Sequence, residues 1–137
     1  MTLASRSLEQ ALFAHLKAGN DLITLLGGAR LYDEPKRNSD LPYLTLATSY
    51  SRDWSTGSDK GEEHRLLLTV WTGTEDRALQ QSILDCLSTL LADPSLSLTG
   101  HHLVNLTIER TDMRTDRKNR LLQGILQMRA VTEEPTT

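Results

Sequence analysis

The sequence predicts an α+β fold: one mainly antiparallel sheet of about four to five strands, with helices packed on one face. Three observations lead there. Apolar residues recur at helical spacing in two segments, Ser7–Lys17 and Thr74–Leu91. Short apolar stretches with alternating or continuous patterns fill most of the remainder. Neighbouring strand candidates are joined by polar loops rather than crossover helices, which favours antiparallel pairing.

In the first helix, Leu8, Ala11, Leu12, His15 and Leu16 share one face, Ser7 and Gln10 are spaced as a capping box, and Gly19-Asn20 forms the stop. A short helical turn follows in "NDLITLLGG", capped by Asn20 or Asp21 and ended by Gly27-Gly28. "ARLYDEP" gives a short extended piece with a break at Pro35, and residues 36–41 form a polar loop. Pro42 lacks an N–H and marks a strand start or edge. Strands are expected over Tyr43–Tyr50 and His64–Thr72. In the second, Leu66, Leu68 and Val70 lie on one face and Leu67 and Trp71 on the other, the pattern of an interior strand.

The longer helix, opened by Thr74 with Glu75 and Asp76 near its positive end, carries the stripe Leu79, Ile83, Cys86, Leu87, Leu90 and closes at Asp93-Pro94. A strand over Leu103–Arg110 places Val104, Leu106 and Ile108 on the core face. The last strand, Leu121–Thr132, places Leu122, Leu126, Met128 and Ala130 together, and residues 133–137 are expected to fray. Residues 1–137 are read as one domain with two projecting loops, 51–63 and 110–120.

Bulk properties narrow the function. At 137 residues and 38% hydrophobic content the chain is large enough for a core without staples. Cys86 is the sole cysteine, which excludes an intrachain disulfide and suits a reducing compartment. The opening segment is interrupted by Arg6, Glu9 and Lys17 and lacks a signal peptide's apolar centre, and the apolar runs are too short to span a bilayer. The expectation is a soluble intracellular protein with no membrane partner. A net charge of −3 and an aromatic content of 4% argue against a general nucleic-acid binder.

Chemical motifs give little. Cys86 sits on an apolar helix stripe and reads as a packing residue. His15, His64, His101 and His102 have no metal-ligand spacing and read as solvent-facing or core-edge side chains, so no metal site is expected. "GSDKGEEH" lacks the phosphate-loop spacing and precedes a strand. Asp85 faces away from its helix stripe, and "NLT" at Asn105 is an accidental glycosylation match. No catalytic residue and no cofactor are assigned, although an active site can assemble from scattered residues. The stretch Arg110–Arg120, with Arg114, Arg117, Lys118 and Arg120, reads as a solvated hairpin tip, a protein-docking surface or, less well, a DNA-phosphate contact.

The order of several short motifs goes further. An opening helix, Gly28, "RLY" at 30–32, Pro42-Tyr43, "HRLLLTVWT" with its following helix, and "LLQGILQMRAVTEE" occur in sequence over Leu8–Glu134. This arrangement resembles the small tail-terminator and tail-completion proteins of long-tailed phages and gene transfer agents. "RKNR" departs from the family pattern, which has an aspartate-glycine turn there.

The resemblance implies a structural virion protein. It would form a ring, typically hexameric, at the head-proximal end of the tail tube. The ring would end tube polymerisation and join tail to head after assembly in the bacterial cytoplasm. Its partners would be copies of itself, the tail tube protein and a head-connector or neck protein, with DNA passing through without sequence-specific binding. A head–tail connector or adaptor of the same particle is the alternative, with a small enzyme behind it. For such a ring, Arg52, Asp53 and Trp54 are candidate contacts to a neighbouring subunit or the tube, because Trp and Arg dominate interface hot spots. Otherwise Trp54 folds back on its own sheet.

Overall fold

The computed structural model describes residues 3–34, 40–92 and 94–135. Two helices open the chain, α1 (Ala4–Lys17) and α2 (Asn20–Leu26), followed by the short strand β1 (Leu31–Tyr32). The hairpin β2 (Tyr43–Asp53) and β3 (Gly61–Gly73) comes next, then α3 (Arg77–Leu91) and a second hairpin, β4 (His102–Asp116) and β5 (Leu121–Glu133). The sheet order is β1-β2-β3-β5-β4. Among the described residues only β1 runs parallel to its neighbour; the other pairs are antiparallel.

Strand periodicity sorts the side chains into two layers. Leu44 and Leu46 of β2, Leu66, Leu68 and Val70 of β3, and Leu126, Met128 and Ala130 of β5 form one buried cluster. Leu8, Leu12 and Leu16 of α1, Leu22 and Leu26 of α2, and Ile83, Leu87 and Leu91 of α3 belong to the same cluster, so the helices cover this face. Burial of each such leucine contributes about 1.5–3 kcal/mol. Gly124 lets α3 approach closely: a Cβ there would meet Gln80 Cδ at 3.1 Å and Leu84 Cδ1 at 3.2 Å. The opposite face is open, and Leu67 and Tyr50 are exposed on it.

Several boundaries differ from the sequence reading. α1 begins at Ala4, and Ser7 is no cap; its buried hydroxyl donates to the Thr99 carbonyl at 3.0 Å. Gly19, rather than Asn20 or Asp21, precedes α2, and Gly27 ends it in the left-handed conformation that favours glycine. α3 begins at Arg77, with Asp76 as its N-cap. Val104 is exposed because register shifts at Leu103/Asn105 and Ile108/Arg110 break the alternation of β4. Glu133 pairs with Gly61 and His102, and the Glu134 N–H donates to the Lys60 carbonyl at 3.0 Å, so the expected frayed tail is held at its start. The expected break at Pro35, most of the 36–41 loop, the stop at Asp93 and the end of the tail lie outside the described residues.

The largest corrections concern the two projecting loops. β2 continues to Asp53 and β3 begins at Gly61, which leaves only residues 54–60 between them. β4 continues to Asp116 and β5 begins at Leu121, which shrinks the 110–120 excursion to the turn 117–120. Charged residues extend a strand when one side of it faces solvent, as β4 does at the sheet edge. The resulting strands are long. At about 3.3 Å per residue the 13 residues of β3 span roughly 40 Å, whereas the 15 residues of α3 span about 22 Å.

The two faces of β3 differ in what truncation costs. Leu68→Ala, at a residue 1% exposed, is expected to lower unfolding free energy by about 2–5 kcal/mol. Leu67→Ala, at a residue 37% exposed, is expected to change it by no more than about 1 kcal/mol. Urea unfolding of both variants checks the assignment of faces.

Candidate functional site

One end of the sheet is organised around Glu63. β3 places it on the open face, yet it is 1% exposed because arginines from three strands cover it. Arg52 Nε of β2 donates to Glu63 Oε1 at 2.7 Å, and Arg129 Nε of β5 donates to Oε2 at 2.6 Å. Arg65 Nη1 lies 3.2 Å from Oε1 without hydrogen-bonding alignment, and its Nε pairs with Glu109 of β4 at 2.8 Å. Register explains the convergence, since Arg52 lies opposite Glu63, and Arg129 lies opposite Arg65, two residues along β3. Desolvation pushes the Glu63 carboxyl up, but Arg129, Arg52 and Arg65 outweigh it and hold the pKa at about 2.

The same arginines carry Trp54. The Arg52 and Arg129 guanidinium carbons lie 5.4 and 5.3 Å from the indole centroid, within cation–π range. Trp54 remains 45% exposed while lining a cleft with Val104, Val131 and Thr132. The indole is thus laid against its own sheet and still presents a face outward. Asp53 has a local role: it accepts hydrogen bonds from the Ser55 hydroxyl and N–H, which lower its pKa. A tight turn closes the loop, with reciprocal backbone hydrogen bonds between Thr56 and Asp59 at 2.9 and 2.7 Å.

His64, expected at a surface or core edge, is fully buried. Its Nδ1 is 2.6 Å from the Ser51 hydroxyl and its Nε2 2.8 Å from the Thr132 hydroxyl, which joins β2, β3 and β5 one residue from Glu63. Burial, the largest cause, lowers its pKa; His101 adds to this, while Glu62 and Glu63 oppose it.

The second group of candidates lies elsewhere. Arg114 is exposed on β4, and Arg117, Lys118 and Arg120 occupy the exposed turn 117–120. Asp116 shapes this turn by accepting from the Asn119 side chain at 2.8 Å and its N–H at 3.2 Å. Arg120 has φ 54°, a left-handed conformation where glycine would be ordinary. The ladders show that the two groups are not brought together. Asp53, Gly61, Glu133 and His102 mark one end of the sheet; Tyr43, Gly73, Leu121 and Asp116 mark the other. About 40 Å of strand separates the Trp54 loop from the basic turn.

Glu63, Arg65, Arg129 and His64 were not singled out from the sequence as site residues. The available signal was charge at alternate positions, Glu63 and Arg65, within an otherwise apolar strand. Elsewhere the chemistry is quiet. Cys86 borders a groove of about 570 Å³ between α2 and α3, where burial and then the Asp21 charge push its thiol up, away from the reactive thiolate. Among the described residues no cluster of three or more His, Cys, Asp or Glu could hold a metal ion.

The fold is similar to that of solved structures, two of which follow. A chain from the virion of a native gene transfer agent particle matches with a TM-score of 0.86 at 24% identity, over 97% of this chain and 99% of that one. The bacteriophage SPP1 gp17 protein matches with a TM-score of 0.59 at 23% identity, over 94% and 91% respectively. Comparison with curated protein sequences found no match. The family model described as "Tail completion protein gp17" matches residues 10–133, and the chain belongs to that family. Its role is structural: the completion of a tail.

The electrostatics predict acid sensitivity in two steps. Folded His64 binds a proton less readily than unfolded His64, so stability present above pH 6.5 is lost as pH falls below it. Folded Glu63 is likewise depressed, so its contribution is complete above pH 4.5 and is lost as pH falls toward about 2. Urea unfolding across pH should therefore show stability falling below neutrality and again in the acid range. Glu63→Gln should shrink the second step, leaving the part that Asp53 and Asp116 contribute, while lowering stability near neutral pH, where the wild-type carboxylate is charged.

Proposed function

We propose that this protein, acting as one tail-terminator-like domain over residues 1–137, forms a homo-oligomeric, hexameric ring at the head-proximal end of a tail tube. The ring stops tube polymerisation and receives the head-connector or neck protein, and DNA passes through it without sequence-specific recognition. On this reading the chain is a virion component, assembled in the bacterial cytoplasm, and catalyses nothing. Membership of the tail-completion family supports the setting.

The observation that carries the proposal is the separation of the candidate contacts onto opposite ends of one sheet. A terminator has two different neighbours and needs two chemically different surfaces. Here one end presents Trp54 stacked with Arg52 and Arg129, the aromatic-plus-arginine combination of interface hot spots. Asp53 supports that loop from within. The other end presents Arg114, Arg117, Lys118 and Arg120, exposed cations suited to a carboxylate-bearing partner. Arg120 strengthens the case. A left-handed residue with a Cβ costs roughly 1–2 kcal/mol, and such strain concentrates at functional positions.

Trp54→Ala is expected to leave a folded protein and to impair tail termination, seen by electron microscopy as overlong tails or tails without heads. Normal tail lengths and normal head joining in that variant would remove the Trp54 end from the mechanism. Arg120→Gly is expected to keep or raise stability by up to about 1 kcal/mol, because it relieves the left-handed strain, while reducing head joining. Unaltered head joining in Arg120→Gly would assign the arginine no role at that surface.

A further inference from the structure

Among the described residues, both edges of the sheet lack a strand partner over most of their length. β4 is the last strand on one side, and among the described residues no strand pairs with its outer edge. On the other side, β1 pairs with Leu44 and Thr45 of β2, so among the described residues Leu46–Asp53 also has an outer edge without a strand partner. Proteins usually guard such edges with charge, because unpaired N–H and C=O groups accept a further strand. Here Leu46–Ser51 and Leu103–Ile108 contain no charged residue.

We propose that copies of this chain join edge to edge, the outer edge of β4 pairing antiparallel with the Leu46–Asp53 stretch of β2 in the next copy. The proposal rests on the homo-oligomeric ring reading and names the surface that builds it. Strand polarity carries it. β2, β3, β5 and β4 alternate in direction, so β4 runs opposite to β2. Copies arranged side by side with the same end up therefore bring β4 against β2 in antiparallel register, and the sheet continues from one copy into the next.

The levels also agree. Following the ladders across the sheet, Tyr50 lies level with Thr107, and Arg52 level with Asn105. The contact uses two different edges, so it is heterologous and closes into a ring when the rotation permits. It also sets every Trp54 loop on one rim and every 117–120 turn on the other. Pairing of β4 with β4 would instead be two-fold, stop at a dimer and place the two ends on opposite sides.

The test uses full-length protein carrying Cys86→Ser, with Tyr50→Cys combined in turn with Asn105→Cys, Thr107→Cys or Asp112→Cys, positions spaced to tolerate a stagger between copies. Native mass spectrometry of the unmodified protein at high micromolar concentration is run in parallel. The expected result is a homo-oligomer in the native spectrum. On oxidation, at least one double variant should give a ladder of covalent species above the dimer, while each single variant remains a monomer on denaturing, non-reducing gels. A β4 single variant that forms dimers, with no higher species from any pair, would overturn the proposal in favour of a two-fold contact. A homo-oligomer without any ladder would leave the ring reading intact and overturn this surface. The absence of any homo-oligomer would contradict the ring reading itself, and this proposal with it.

Discussion

The carboxylate of Glu63 is the constraint on which the site end of the molecule depends. A buried charge is tolerated only when paired, and this one is enclosed by guanidinium groups from β2, β3 and β5. Arg65 extends the cluster to Glu109, so β4 is tied in as well. Four strands are thus joined by side-chain charge on the face that the helices leave open. Two of the three arginines also stack on Trp54, so the group that neutralises Glu63 is the group that positions the indole. Loss of the carboxylate would leave three close cations and withdraw the anchor from the stack. Directly behind it, the buried His64 pins the same strands from the helical side through Ser51 and Thr132.

Around that anchor the division of labour is simple. The leucine-rich face and its helices supply a packed core, and the long strands carry two exposed ends away from it. Stiffness follows from the ladders, which run nearly the full length of β3 and β5 without a register shift. β2 and β4, whose outer edges are largely without strand partners among the described residues, do carry shifts, at Thr48/Tyr50 and at two places in β4. Bulges of this kind bend and twist an edge locally. A structural tail component that met its neighbours at margins and tips, as proposed above, would gain from a rigid middle with adaptable margins.

Much of the fold was legible because apolar periodicity is a local signal. The inward leucines of β3 and β5 and the interior position of β3 follow from spacing alone. The α3 stripe was read a little off its true face: Ile83 and Leu87 are buried as expected, but Gln80, Leu84 and Leu91 join them, while Leu79, Cys86 and Leu90 are only half-buried. Strand ends were not legible. Residues such as Arg52, Asp53 and Arg110–Asp116 look like loop by composition, but pairing with β3 or β5 holds them as strand. The Glu63 cluster depends on register between segments as much as 66 residues apart, which a single sequence does not specify. His64 was misjudged for the same reason: its partners Ser51 and Thr132 are distant in sequence and adjacent across the sheet. Trp54 was visible as a candidate contact beside Arg52, while the arginine from β5 that completes its setting was not.

On the proposed reading this chain stands as a two-ended spacer, its strands running along the tail with unlike chemistry at each end. Cryo-electron microscopy of completed tails at side-chain resolution tests it most directly. The expected result is density for this chain at the end of the tube, with strands running close to parallel with the tail axis, all Trp54 loops on one rim and all 117–120 turns on the other. Strands lying across the axis, or copies alternating in direction around it, would contradict the account.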